Sequence, residues 1–151
     1  MGNATGENNT TGQSNTFLES DAGQGNLTGS ENGSQSGRQL STGSRNTYVG
    51  YLSGSKNSTS DGYVFIGTFS GENAVTNSSV IIGDFAGHNS QGDNAILIGA
   101  GAGNDNKGAG SILIGTSAGR VNQDVDFTAI GNYAGEVNRR WKYFHRTLCW
   151  Q

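Results

Sequence analysis

Histidine, cysteine and carboxylate groups are where a chain of this size would do chemistry, and here they are few and scattered. The 151 residues contain two histidines, His88 and His145, and a single cysteine, Cys149. A nucleophilic enzyme needs a Ser or Cys set against a base that a third group orients, and no spacing in the sequence supplies such a partner to either histidine. One cysteine closes no intramolecular disulfide and completes no zinc cluster. Asp93, Asp105 and Asp124 recur in turn-like stretches, but the glycine-aspartate nonapeptide of calcium-binding β-rolls is absent. Glycine pairs such as Gly99 and Gly103 imitate part of a phosphate-binding loop, yet no Gly-Lys-Ser/Thr follows at the required gap. The expectation is therefore no enzyme, no cofactor and no metal. Modification is the chemistry the sequence does offer. Asn-x-Ser/Thr triplets stand at Asn3, Asn8, Asn9, Asn26, Asn32, Asn57 and Asn77, all before residue 80, and each is a candidate glycosylation acceptor. A plain bias toward Asn, Ser and Thr in polar turns is the competing explanation.

The elements that carry these residues are set by a repeat. The segments VFIGTFSG, VIIGDFAG, ILIGAGAG, ILIGTSAG and TAIGNYAG align with first glycines at Gly67, Gly83, Gly99, Gly115 and Gly131 and second glycines at Gly71, Gly87, Gly103, Gly119 and Gly135. The step is sixteen residues throughout. Ile66, Ile82, Ile98, Ile114 and Ile130 stand immediately before the first glycines, and Ser70, Ala86, Ala102, Ala118 and Ala134 before the second. Upstream, TYVGYLSG from Thr47 to Gly54 is a full copy, Gly33 and Gly37 keep the glycine pair, Thr16 to Gly23 keeps the strand with Glu19 in place of the first glycine, and Gly2 and Gly6 fit a further unit. This makes about nine units, with 17 of the 26 glycines at the two repeat positions.

A helical repeat would show apolar residues at three- and four-residue spacing, and none does. Each unit reads instead as a short β-branched strand, a tight bend, a second short strand and an Asn/Asp/Ser/Gly-rich turn. Stacked one per coil, such units form a parallel β-solenoid, or β-roll, with neighbouring coils hydrogen-bonded about 4.8 Å apart. Glycine costs about 0.5 to 1 kcal/mol per strand position relative to Ala, so its regular retention points to corners of positive φ or close backbone approach. Within each strand Val64/Ile66, Val80/Ile82, Ile96/Ile98, Ile112/Ile114 and Thr128/Ile130 share one face, while Phe65, Ile81, Leu97, Leu113 and Ala129 point the other way. Strands apolar on both faces are buried on both. The Ile column is assigned to the core, and the expectation is a homotrimer in which one face fills the coil and the other meets a neighbouring chain. A single-chain solenoid whose return strand covers the second face is the alternative.

The units VIIGDFAGHNSQGDNA, ILIGAGAGNDNKGAGS and ILIGTSAGRVNQDVDF resemble the head repeats of trimeric autotransporter adhesins and related repeats of phage and viral fibre proteins, over Asn46 to Gly135. The resemblance implies a trimeric left-handed parallel β-roll acting as a surface fibre in attachment.

Composition excludes other classes. The longest apolar runs are four residues, against about 20 for a membrane-spanning helix. The first twenty residues carry no basic start or apolar stretch, so no secretory signal is visible. A formal net charge of -3 disfavours nucleic acid as the body's partner. The position after the first glycine reads Tyr51, Thr68, Asp84, Ala100, Thr116, Asn132, which is no threonine ladder for binding ice. Residues 1–45 are degenerate coils, 46–135 regular repeats and 136–151 a basic aromatic cap. In the cap, Val137, Trp141, Phe144 and Leu148 fit one face of a helix, with Arg139, Arg140, Lys142 and Arg146 around it. A structural fibre or filament protein of an extracellular, cell or virion surface is the expected function. A glycan- or host-surface-binding module on a trimeric β-roll is the alternative.

Overall fold

The structure, a computed structural model, describes residues 7–13, 16–17, 33–34, 42–56, 61–122 and 124–138. β-Branched triplets favour extended backbone, and in each regular unit the triplet is a strand. In chain order the strands are β1 (Thr16–Phe17), β2 (Gly33–Ser34), β3 (Thr47–Val49), β4 (Val64–Ile66), β5 (Val80–Ile82), β6 (Ile96–Ile98), β7 (Ile112–Ile114), β8 (Val121–Asn122), β9 (Thr128–Ile130) and β10 (Val137–Asn138). No helix occurs among the described residues. All pairing is parallel. One sheet runs β1-β2-β3-β4-β5-β6-β7-β9, and β8 pairs with β10 in a second.

The chain is thus an all-β solenoid of about five turns. Its register is the repeat itself, since Val64 pairs with Val80, Val80 with Ile96, Ile96 with Ile112 and Ile112 with Thr128. Stitching continues around the whole coil. On the far side Gly71 N–H donates to Ala86 O at 2.9 Å and Asn73 N–H to His88 O at 2.8 Å, while at the corner Gly83 N–H donates to Ile66 O at 2.7 Å. Two expectations change here. Gly33, aligned above with corner glycines, pairs with Thr47, a strand residue, because a strand without apolar side chains has little to fix its register. Val137, aligned above with a helix, is extended and pairs with Val121 one step back; the rest of the proposed cap, 139–151, lies outside the described residues.

The corners explain the glycines. At the first glycine of each unit φ lies between +122° and +133°, and a Cβ on Gly99 would stand 2.6 Å from the carbonyl carbon of Gly115 in the next coil. At the second glycine the core side chain occupies the space. A Cβ on Gly103 would stand 2.7 Å from Leu97 Cδ2. Two further positions per coil are also left-handed but are not reserved for glycine. Two residues after the first glycine stand Leu52, Phe69, Phe85, Ser117 and Tyr133, and two before the strand stand Arg45, Ser78, Asn94 and Asp126, all with φ between 51° and 61°. Each residue there other than Gly, Asn94 and Asp126 costs roughly 1 to 2 kcal/mol, since Asn and Asp enter this region readily.

The interior is lined by the middle residue of each triplet: Tyr48, Phe65, Ile81, Leu97 and Leu113 are fully buried, and Ala129 nearly so. This corrects the core assignment. Ile66 and Ile130 are exposed, and Ile82, Ile98 and Ile114 are half-buried on the outer face. A three-residue strand has room for one inward side chain, and the glycine corner fixes the parity so that the middle one takes it. The residue before the strand adjusts the volume. Phe127 packs against the core beside small Ala129, while Ala95 and Ser111 accompany Leu97 and Leu113. Much of the remaining interior is polar and satisfied. Asn122 Nδ2 donates to Asn106 Oδ1 at 2.7 Å, and Gly108 N–H donates to Asn106 Oδ1 at 3.2 Å, so each asparagine closes its own turn while bridging coils.

Gly99→Ala combines a forbidden φ with a backbone clash, and we expect it to destabilise the fold by at least about 2 kcal/mol. Ser117→Gly relieves left-handed strain and should stabilise by about 0.5 to 1 kcal/mol. Thermal unfolding followed by circular dichroism tests both.

Candidate interaction surfaces

A sixteen-residue period places like positions in columns along the rod, and three columns carry surface chemistry. The first is the outer face of the eight-stranded sheet. Val49, Ile66, Ile96, Ile112 and Ile130 are exposed there, Val64, Val80, Ile82, Ile98 and Ile114 are half-buried, and Thr47 and Thr128 stand at its two ends. From β3 to β9 the face is about 24 Å long at the usual strand spacing. No described segment covers it; the far-side pairing of β8 with β10 lies on the other wall of the coil. The single-chain alternative, in which a return strand buries this face, therefore has no counterpart among the described residues.

The second column is an aromatic ridge on the narrow edge after the first glycine. Tyr51 meets Phe69 edge-on with centroids 5.6 Å apart, Phe69 stacks on Phe85 at 4.7 Å with planes 22° apart, and His88 tilts against Phe85 at 5.7 Å. The ridge was invisible in the aligned units because its column also holds Leu52, Gly101, Ser117 and Tyr133. Only the stacking of coils turns two isolated phenylalanines into neighbours.

The third column is a ladder of charges. Glu72 is only 8% exposed and is clamped from both sides, by Lys56 Nζ at 3.0 Å and His88 Nε2 at 2.7 Å. Arg120 and Glu136 form the same one-step pair at 3.1 Å. Burial pushes the Glu72 carboxyl upward, but the hydrogen bonds and charges of Lys56 and His88 outweigh it and hold the group below the ordinary carboxylate value. The signal in the sequence for this contact is the separation of Glu72 and His88 by one period. At the N-terminal end of the core, burial, then the neighbouring Tyr63 and Asp61, push the Tyr48 phenol well above its usual range.

The other candidate residues are dispersed. The corner glycines Gly67, Gly71, Gly83, Gly87, Gly99, Gly103, Gly115, Gly119, Gly131 and Gly135 all have positive φ. Asp93, Asp105 and Asp124 fall in three different columns, and no group of three or more potential metal ligands occurs among the described residues. Asn77 is an exposed turn residue whose Nδ2 donates to Asp93 Oδ1 at 3.3 Å, while the hydroxyl of Ser79 is turned inward onto the Asn77 carbonyl at 3.2 Å. Asn8 is exposed and Asn9 half-buried, with Asn9 Nδ2 donating to Gly12 O. Asn3, Asn26, Asn32, Asn57, His145 and Cys149 lie outside the described residues. No helix among the described residues is long and apolar enough to cross a membrane.

The depressed Glu72 value has a definite sign. Its contribution to stability is complete above the ordinary value of 4.5 and disappears as pH falls through the lower folded value. The melting temperature of the native chain should drop over that acid range, and Glu72→Gln should show a shallower drop from a lower starting point. Identical acid profiles would mean the ladder contributes nothing. Neither family models, nor characterised proteins, nor solved structures match this chain.

Proposed function

We propose that this chain is a non-enzymatic structural rod that associates with copies of itself through the outer sheet face to build a surface fibre or filament. The observation that carries the reading is the uncovered column of Val and Ile side chains from β3 to β9. Soluble monomers rarely leave a continuous apolar patch of this extent, and such patches usually mark protein contacts. Flat rows of β-branched residues suit face-to-face sheet packing at about 10 Å. A homotrimer, three faces around one axis, buries all of them at once, and a full set of nine coils gives a rod roughly 43 Å long. Axial hydrogen bonding on every side of the coil supplies stiffness, and the polar turns, exposed Asn77 among them, supply a hydrated outer surface open to glycosylation. An extracellular, cell-surface or virion location accords with these features.

Sedimentation equilibrium at micromolar concentration tests the reading. The native chain should be an oligomer, and Ile96→Asp, which alters an outward side chain, should weaken association by about 2 kcal/mol or more, roughly thirtyfold, while circular dichroism stays unchanged. A native chain that sediments as a folded monomer would overturn it.

A further inference from the structure

The aromatic ridge ends in the middle of the rod, where the coil after Phe85 has Gly101 and so no side chain in that column. Phe69 has an aromatic neighbour on each side, Tyr51 and Phe85. Phe85 has Phe69 stacked on it and His88 tilted against it at 5.7 Å, but the next residue of its column is Gly101, and a Cβ there would find nothing closer than Ser117 Oγ at 3.6 Å. Phe85 accordingly keeps 41% of its surface exposed in spite of its stack. The gap is one coil step deep. Phe69 and Phe85 stack at 4.7 Å across such a step, so the gap has the thickness of one flat ring.

The fold does not call for an aromatic at this position. Gly101 and Ser117 hold the same left-handed conformation, with φ of 64° and 54°, and Phe85 adopts it, at 52°, against the preference of a bulky side chain. An exposed phenylalanine beside a step that carries no side chain offers its ring to a flat ligand. Around the gap stand groups suited to hydroxyls. Asp84 and Thr116 are exposed in the neighbouring column, Ser117 lies one step beyond Gly101, and Asn104 donates from Nδ2 to the Phe85 carbonyl at 3.3 Å. The carboxylate of Asp84 and the net negative charge disfavour a phosphorylated or otherwise anionic ligand.

We propose that the step between Phe85 and Ser117, floored by Gly101, binds one neutral pyranose ring of a glycan, its C–H face on Phe85 and its hydroxyls toward Asp84 and Ser117. The site goes beyond assembly and is independent of it, because the ridge and the outer sheet face are different columns.

Saturation-transfer NMR with three probes, methyl glucoside, methyl galactoside and methyl N-acetylglucosaminide, tests it. At least one should receive saturation from the native chain, strongest on the protons of one ring face. Phe85→Ala should weaken that binding about tenfold. Gly101→Phe should abolish it by completing the stack, and because Phe already occupies this conformation at 69 and 85 the fold tolerates the change, which a melting curve verifies. Ile96→Asp should leave sugar binding intact even if it disperses the oligomer. The proposal is overturned if none of the three glycosides receives saturation, or if the Gly101→Phe chain still binds. It is also overturned if Gly101→Phe changes the sedimentation of the native oligomer, since the gap then holds a side chain of another copy.

Discussion

Everything in this rod depends on the axial hydrogen bond between a residue and its counterpart one coil away. The bond is regular only if each coil has the same perimeter, and the sixteen-residue step enforces that from Val64 to Thr128. Once the perimeter is fixed, side chains in equivalent positions are forced into columns about 4.8 Å apart. Every column then becomes a choice between attraction and repulsion repeated along the axis. Leu97 over Leu113, Asn106 over Asn122, Phe69 over Phe85 and Glu72 over His88 are four answers to that one constraint.

The glycine corners show how strict the constraint is. A backbone that passes within contact distance of its neighbour's carbonyl leaves no room for a methyl group, so the first glycine is a steric requirement before it is a conformational one. The two other left-handed positions turn outward into solvent and tolerate Phe, Ser, Asn or Asp. The repeat is therefore rigid at two residues and permissive at two others. That division lets one architecture carry unlike surfaces on successive coils.

Much of this was legible in the sequence, because periodicity reports perimeter directly. The strands, the parallel stacking and the corner glycines follow from spacing alone. Which strand face points inward did not, since Ile66 and Phe65 are both apolar and only the direction of the glycine turn separates them. The register of Gly33 is not legible for a related reason, as glycine and serine provide no side-chain pattern that distinguishes one alignment from a slipped one. The aromatic ridge and the Glu72 clamp are not legible because each exists over only two or three coils, too few to form a repeat.

The core also changes character along the axis. Tyr48, Tyr63 and Phe65 form an aromatic cluster, with Tyr63 stacked on Phe65 at 4.6 Å, whereas the coils beyond hold Ile81, Leu97 and Leu113, each with a small companion, until Phe127 and Ala129. In a quasi-one-dimensional array each coil's stability is its own packing plus the interface with its neighbours. Unequal coils make such an array directional. Stability is therefore distributed unevenly along the axis, an asymmetry that the near-identical repeats conceal.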